Sequence, residues 1–210
     1  MRLILIGPPG AGKGTQAEAI VKKLDIPTIS TGDILRSEVK KESSVGLKVK
    51  ELVNAGTLVP DDIIIGVTID RLSQPDCEKG YILDGMPRTI AQAEALDEKG
   101  IQIDCALSIE VPDTEILSRL SGRRVCSGCR MTYHIEANPP LKENICDACG
   151  AGLIIRKDDE PETIRNRLAT FHKETKPLKD YYKNQGKYKE IISNAGVAET
   201  TVEVFAILGI

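Results

Sequence analysis

The chain has 210 residues, of which 41 % are hydrophobic and 28 % charged, ordinary values for a soluble globular protein with one sizeable core. A net charge of -3 removes any global pull toward nucleic acid or an anionic membrane, so basic residues that matter must act locally. No apolar run is long enough to span a bilayer and the amino terminus carries no signal-peptide pattern, so the expected location is cytoplasmic.

In chain order, "RLILI" (2–6), "YILDG" (81–85) and "CALSIEV" (105–111) are short apolar runs of the kind that form buried parallel strands. Helical patterns cover 13–24, 61–73, 89–99 and 113–121. Strands alternating with helices predict a parallel sheet covered on both faces. The last long helix is expected to begin near Pro161, with Ile164, Leu168 and Phe171 as its apolar stripe and Pro177 kinking or ending it. Two segments depart from the alternation. Residues 31–59 look purely helical, and 122–159 hold two cysteine pairs, prolines and short β-like pieces. Both read as insertions on the α/β core.

Between the first strand and the first helix stands "GPPGAGKGT", which fits G-x-x-x-x-G-K-[ST] except that Gly14 separates Lys13 from Thr15. Such a loop turns backbone N–H groups inward around an anion, and the helix that follows points its positive end at the same place. Lys13 adds a full charge against terminal phosphates, and Thr15 can reach a phosphate or the shell of a magnesium ion. Asp84, closing an apolar strand, suits the acidic partner that orders magnesium-bound water, or it caps a helix.

Cys126-x2-Cys129 and Cys146-x2-Cys149 have the spacing of a four-thiolate zinc site. Four thiolates close the coordination shell, so the metal is expected to be structural. His134 is a conceivable substitute ligand that such a shell does not need. Two disulfides are the alternative, disfavoured in a reducing compartment. Cys105 reads as a buried strand residue.

Taken together, "GPPGAGKGTQA" (7–17), "ISTGDILR" (29–36), "LDGMPRT" (83–89), "GRR" (122–124) and "RKDDEPETIRNRL" (156–168) resemble adenylate kinase in its long bacterial form with a zinc-bearing lid. The resemblance runs in order over nearly the whole chain. It implies a P-loop nucleoside-monophosphate-kinase fold: a central parallel five-stranded sheet flanked by helices, with a helical monophosphate-binding insertion and a mobile lid. On that basis 1–30, 60–121 and 160–210 form the core, 31–59 the monophosphate-binding domain and 122–159 the lid. It further implies a monomer that converts ATP and AMP reversibly into two ADP, with Mg accompanying ATP.

The resemblance carries residues with it. ATP contacts are expected at Gly10, Ala11, Gly12, Lys13, Gly14, Thr15, Arg119, Arg123, Thr132 and Tyr133, with Ala198 in "NAGVAE" near the base. AMP contacts are expected at Thr31, Arg36, Thr57, Leu58, Val59, Gly85, Met86, Pro87, Arg88, Gln92, Arg156 and Arg167. Met86 stands where the family usually has phenylalanine, and a change of packing rather than chemistry is expected. The moving phosphoryl group needs fixed cations and no general base, which suits a chain whose only histidines are His134 and His172. Lys13, Arg88, Arg119, Arg123, Arg156 and Arg167 are the expected ring.

Several readings stay open in the residues themselves. Thr89-x-x-Gln92 is also a capping-box spacing, so Gln92 either reads an adenine edge or starts a helix. Arg36 is either a phosphate ligand or a solvated helix arginine. Asp158 and Asp159 either orient the arginines or cap the helix at Pro161. A zinc-ribbon nucleic-acid-binding ATPase would need stacking aromatics, and 122–159 hold only Tyr133. A different acceptor base and a non-catalytic nucleotide sensor are the other rivals.

Overall fold

The computed structural model describes residues 1–193 and 196–210. Asn194 and Ala195, the start of "NAGVAE", lie outside the described residues. The strands are β1 (Arg2–Ile6), β2 (Thr28–Ser30), β3 (Tyr81–Asp84), β4 (Cys105–Glu110), β5 (Arg123–Cys126), β6 (Thr132–His134), β7 (Leu153–Ile154) and β8 (Tyr188–Ile192). The helices are α1 (Lys13–Leu24), α2 (Thr31–Lys40), α3 (Ser44–Ala55), α4 (Asp61–Leu72), α5 (Ile90–Glu98), α6 (Asp113–Ser121), α7 (Pro161–Thr170), α8 (Leu178–Asn184) and α9 (Val197–Leu208).

Five strands form one parallel sheet in the order β2-β3-β1-β4-β8. The continuous apolar runs follow from burial on both faces. In β1, Ile4 and Ile6 enter one core with Leu83, Met86 and Leu96, while Leu3 and Leu5 enter the other with Leu107, Ile109 and Ile116. The strands end together at their carboxyl edge, where open α/β sheets bind ligands.

Segment 31–59 is helical as expected. Ser30 caps α2 by accepting from the Asp33 N–H, and Ser43 caps α3 by accepting from the Gly46 N–H. Around the cysteines, β5 pairs antiparallel with β6 and β7 in a separate three-stranded sheet. Past α7 the chain widens into one π-helical turn at Phe171–Thr175, and Pro177 caps α8, so the long helix stops before that proline. Ile164, Leu168 and Phe171 pack inward as their spacing predicts.

Candidate functional site

A cleft of about 700 Å³ opens along the carboxyl edge of the sheet. Its floor is the loop from β1 to α1. Gly12 caps α1 in the left-handed region at φ 92°, a conformation open to glycine at little cost, and this aims the first N–H groups of the helix into the cleft. Gly10, Ala11, Gly12, Lys13, Gly14 and Thr15 all line it. Lys13 Nζ donates to the carbonyls of Gly7 at 2.8 Å and Pro8 at 2.9 Å, which holds the ammonium over the loop. Burial lowers its pKa to about 8, against the opposing pull of Asp84 and with help from Arg88, Arg167 and Arg123.

The arginines converge from distant elements. Arg119 extends from α6 and donates to the Ser193 carbonyl at 2.9 Å while pairing with Glu115 at 3.0 Å. Arg123 at the start of β5 forks onto Asp159, with Nε donating at 2.8 Å. Arg156 forks onto Asp158 at 2.9 and 2.6 Å. Arg167 on α7 touches both acids, at 3.1 Å from Asp158 and 3.2 Å from Asp159. Arg36 pairs with Asp33 at 2.8 Å and lies 4.0 Å from Asp158. Burial pulls the Arg36, Arg88 and Arg167 guanidinia below their ordinary range, Arg167 to about 10. Burial acts on Arg156 in the same sense, but Asp158 outweighs it and the net shift is upward. Arg124 instead donates to the carbonyls of Ser121 and Arg123, and Arg165 faces solvent.

Both aspartates are buried, and their geometry separates the two roles left open by sequence. Glu160 is the cap residue of α7 and makes no side-chain cap bond, whereas Asp158 and Asp159 hold three arginines between them. They orient the cations.

At the far end of the cleft stand Thr31, Thr57, Leu58, Val59, Gly85, Arg88 and Gln92. The Thr31 hydroxyl donates to the Asp84 carbonyl at 3.4 Å. Arg88 Nε donates to the Gly85 carbonyl at 2.9 Å, and the Arg88 carbonyl accepts from the Thr175 hydroxyl at 2.9 Å. Gln92 takes part in the helix start, since Thr89 accepts from its N–H at 3.1 Å, and its amide also lines the cleft. Met86 lies elsewhere: it is buried in the core with its sulfur 2.9 Å from the Thr68 hydroxyl. Pro87 borders a smaller adjoining cavity of about 70 Å³.

Thr132 and Tyr133 on β6 line the opposite wall. The Tyr133 hydroxyl is directed at the cysteines, 3.4 Å from Cys146 Sγ, and accepts from the Asp147 N–H at 2.8 Å. Ala198 is exposed in the first turn of α9, next to Val197, which does line the cleft. Sequence reasoning missed Asp33, Asp61, Thr175 and Ser193. It also missed the apolar wall of Leu35, Val53 and Ile64, which pattern alone marks as core. Only Asp33 carried a local signal, its spacing of three from Arg36 on a helix.

Cys126, Cys129, Cys146 and Cys149 bring their sulfurs within 4.8 Å of one another. Cys126 and Cys149 lie 3.4 Å apart, Cys129 and Cys146 3.5 Å. Sulfurs bonded tetrahedrally to one zinc at about 2.3 Å stand at similar separations. The N–H groups of Gly128 and Cys129 point at Cys126 Sγ from 3.3 and 3.4 Å, a donor pattern that favours a thiolate. A Cβ at residue 128 would stand 3.1 Å from Ala151 Cβ and 3.3 Å from Cys149 Sγ, a tight fit that glycine avoids. The donor set therefore fits zinc.

A glycine-rich loop ahead of a lysine at a helix start, a carboxylate at the end of the neighbouring strand β3 and arginines converging from several distant elements define a P-loop nucleoside-monophosphate kinase. The family model for adenylate kinase matches residues 5–187. The chain is 54 % identical to an adenylate kinase of Acetivibrio thermocellus, over 97 % of this chain and 96 % of that protein. It is 54 % identical to one of Caldicellulosiruptor bescii over the full length of both. It is 48 % identical to one of Lachnospira eligens, again over the full length of both. The chain belongs to the adenylate kinase family, and it is a nucleoside monophosphate kinase.

Proposed function

We propose that the chain transfers the terminal phosphoryl group of MgATP reversibly to AMP, giving two ADP, and that it does so by positioning and charge rather than by acid–base chemistry. The observation that carries this reading is the convergence of Lys13, Arg88, Arg119, Arg123, Arg156 and Arg167 on one cleft. The acceptor is itself an ionised phosphate and needs no base. Neither histidine offers one: His134 lines the cleft, but its Nδ1 lone pair is taken up by the N–H groups of Glu136 and Ala137, and His172 pairs with Asp113 at 2.8 Å.

Each group then has a task. The loop 10–15 holds the phosphates of ATP, and Lys13 turns from its carbonyls onto the terminal phosphate. Arg36 and Arg88 fork onto the phosphate of AMP, with its base between the apolar wall and Gln92. Arg119, Arg123, Arg156 and Arg167 lie where negative charge spreads as the group moves. Magnesium, with ATP, would be held through Thr15 and water ordered by Asp84, whose carboxylate forms no ion pair among the described residues, and it would neutralise phosphate charge. Arg123 and Arg156 bound the segment 122–159. Its movement as a lid, with 31–59 as the monophosphate-binding domain, would bring them in and exclude water. Zinc on the four cysteines would keep that lid in shape, remote from the reacting atoms. Among the described residues no helix is long and apolar enough to cross a membrane, and the reading is of a cytoplasmic monomer acting on free nucleotides, without nucleic acid.

The test is a coupled assay with ATP and each nucleoside monophosphate in turn. AMP should be the preferred acceptor by orders of magnitude. Faster turnover with another monophosphate would overturn the choice of acceptor, and no turnover with any would overturn the reaction.

A further inference from the structure

Gln92 is 2 % exposed, and both ends of its amide are engaged. Oε1 accepts from the Arg88 backbone N–H at 2.7 Å. Nε2 donates to Asp61 Oδ1, also at 2.7 Å. A backbone N–H can only donate and a carboxylate can only accept, so the amide has a single permitted orientation. Turning it over would set its N–H against another N–H, and its oxygen against a carboxylate oxygen. Each end keeps one further valence, a second lone pair on Oε1 and a second hydrogen on Nε2. An acceptor beside a donor matches a 6-aminopurine, whose exocyclic amine donates and whose ring N1 accepts. A 6-oxopurine presents the reverse pattern at the same two atoms.

We infer that Asp61 is the positioning residue that makes the acceptor site choose a 6-aminopurine over a 6-oxopurine, by holding the Gln92 amide one way round. The inference rests on reading this end of the cleft as the AMP site. Asp61 itself does not line the cleft. It opens α4 beside Asp62, and both acids sit in the first turn of that helix, where negative charge is favourable. A purely structural role at the helix start would therefore be shared with Asp62. A role in base choice would belong to Asp61 alone.

The experiment compares AMP with IMP as acceptors, at saturating MgATP, for the parent enzyme, Asp61→Ala, Asp61→Asn and Asp62→Ala, with a melting curve for each. Asp61→Ala should raise the KM for AMP and leave kcat near the parent value. It should narrow the AMP-to-IMP ratio of kcat/KM by about tenfold or more, in keeping with loss of a hydrogen bond to a charged acceptor. Asp61→Asn keeps an oxygen in the same place and should restore most of the ratio. Asp62→Ala should shift the melting point and leave the ratio alone. Should alanine at position 61 unfold the chain, Asp61→Ser supports the helix start with a side chain one bond shorter and repeats the test. An unchanged ratio in Asp61→Ala or Asp61→Ser overturns the inference, as does an equal narrowing in Asp62→Ala. In both cases the parent's preference for AMP survives. A parent enzyme that does not distinguish AMP from IMP overturns the reading of the AMP site and this inference with it.

Discussion

Replacing Asp158 with asparagine would remove one negative charge from the middle of the arginine cluster while keeping the side chain's shape. Its carboxylate is 11 % exposed and lies within 2.6 Å of Arg156, 3.1 Å of Arg167 and 4.0 Å of Arg36. Burial pushes its pKa up, yet Arg156, Arg167 and Arg36 together hold it well below the usual carboxylate range. Leaving these guanidinia without their counter-charge at a mostly buried site should cost about 3 kcal/mol, the lower end for a broken buried pair. In a chain of 210 residues that is roughly 6–12 °C of melting temperature. Bound phosphates would replace the lost charge. ATP and AMP should therefore raise the melting point of Asp158→Asn by more than they raise that of the parent. Turnover should fall by about tenfold or more as Arg156 and Arg167 lose their fixed directions. Calorimetry with and without nucleotides, and a coupled turnover assay, measure both effects. A variant that melts within about 2 °C of the parent and turns over normally would refute the argument, because exposed ion pairs have that small a worth. The parent's acid response gives a second readout. A carboxyl whose folded pKa is depressed contributes stability that is present above about pH 4 and lost as pH falls through the folded value. Asp158→Asn should flatten that loss.

Lys13→Ala and Arg88→Ala should each lower turnover by about three orders of magnitude or more with far smaller changes in melting temperature; activity within a few-fold of the parent would remove that residue from the charge ring. Because the Lys13 ammonium loses its proton near pH 8, ATP affinity should be level below that pH and weaken above it, where binding must take up a proton, and Lys13→Met should abolish the dependence in titration calorimetry. Chelation of zinc, or Cys146→Ser, should lower the melting temperature first and activity in the cold only modestly; bound metal, melting and turnover are read on one sample, and turnover abolished at an unchanged melting point would make the metal catalytic.

Short-range pattern carried much of this protein. The run Leu3 to Ile6 and the apolar spacing of the helices record burial within a few residues of each position, so the core strands and most helices were legible. The stretch from Gly7 to Thr15 and the two cysteine pairs were legible for the same reason, since each packs its chemistry into a few consecutive residues. Two strands carry no such pattern. β2 is three residues long, and β8 exposes Lys189, Glu190 and Ile192 at the edge of the sheet, so neither shows a continuous apolar run. The helix α9, VAETTVEVFAIL, is likewise obscured by its many β-branched residues. Tertiary structure alone decided how the polar groups pair. Sequence left Gln92 between a helix start and a ligand; in the fold its backbone N–H meets the Thr89 cap, while its side chain lines the cleft and donates to Asp61 from another helix. Asp158 and Asp159 sit two residues and one residue before the helix-cap position of α7, yet their partners come from α7, from Arg156 just upstream and from Arg123 in a different strand. A residue's backbone preference is encoded beside it in the chain; the partner that satisfies a buried charge depends on which distant segments the core brings together.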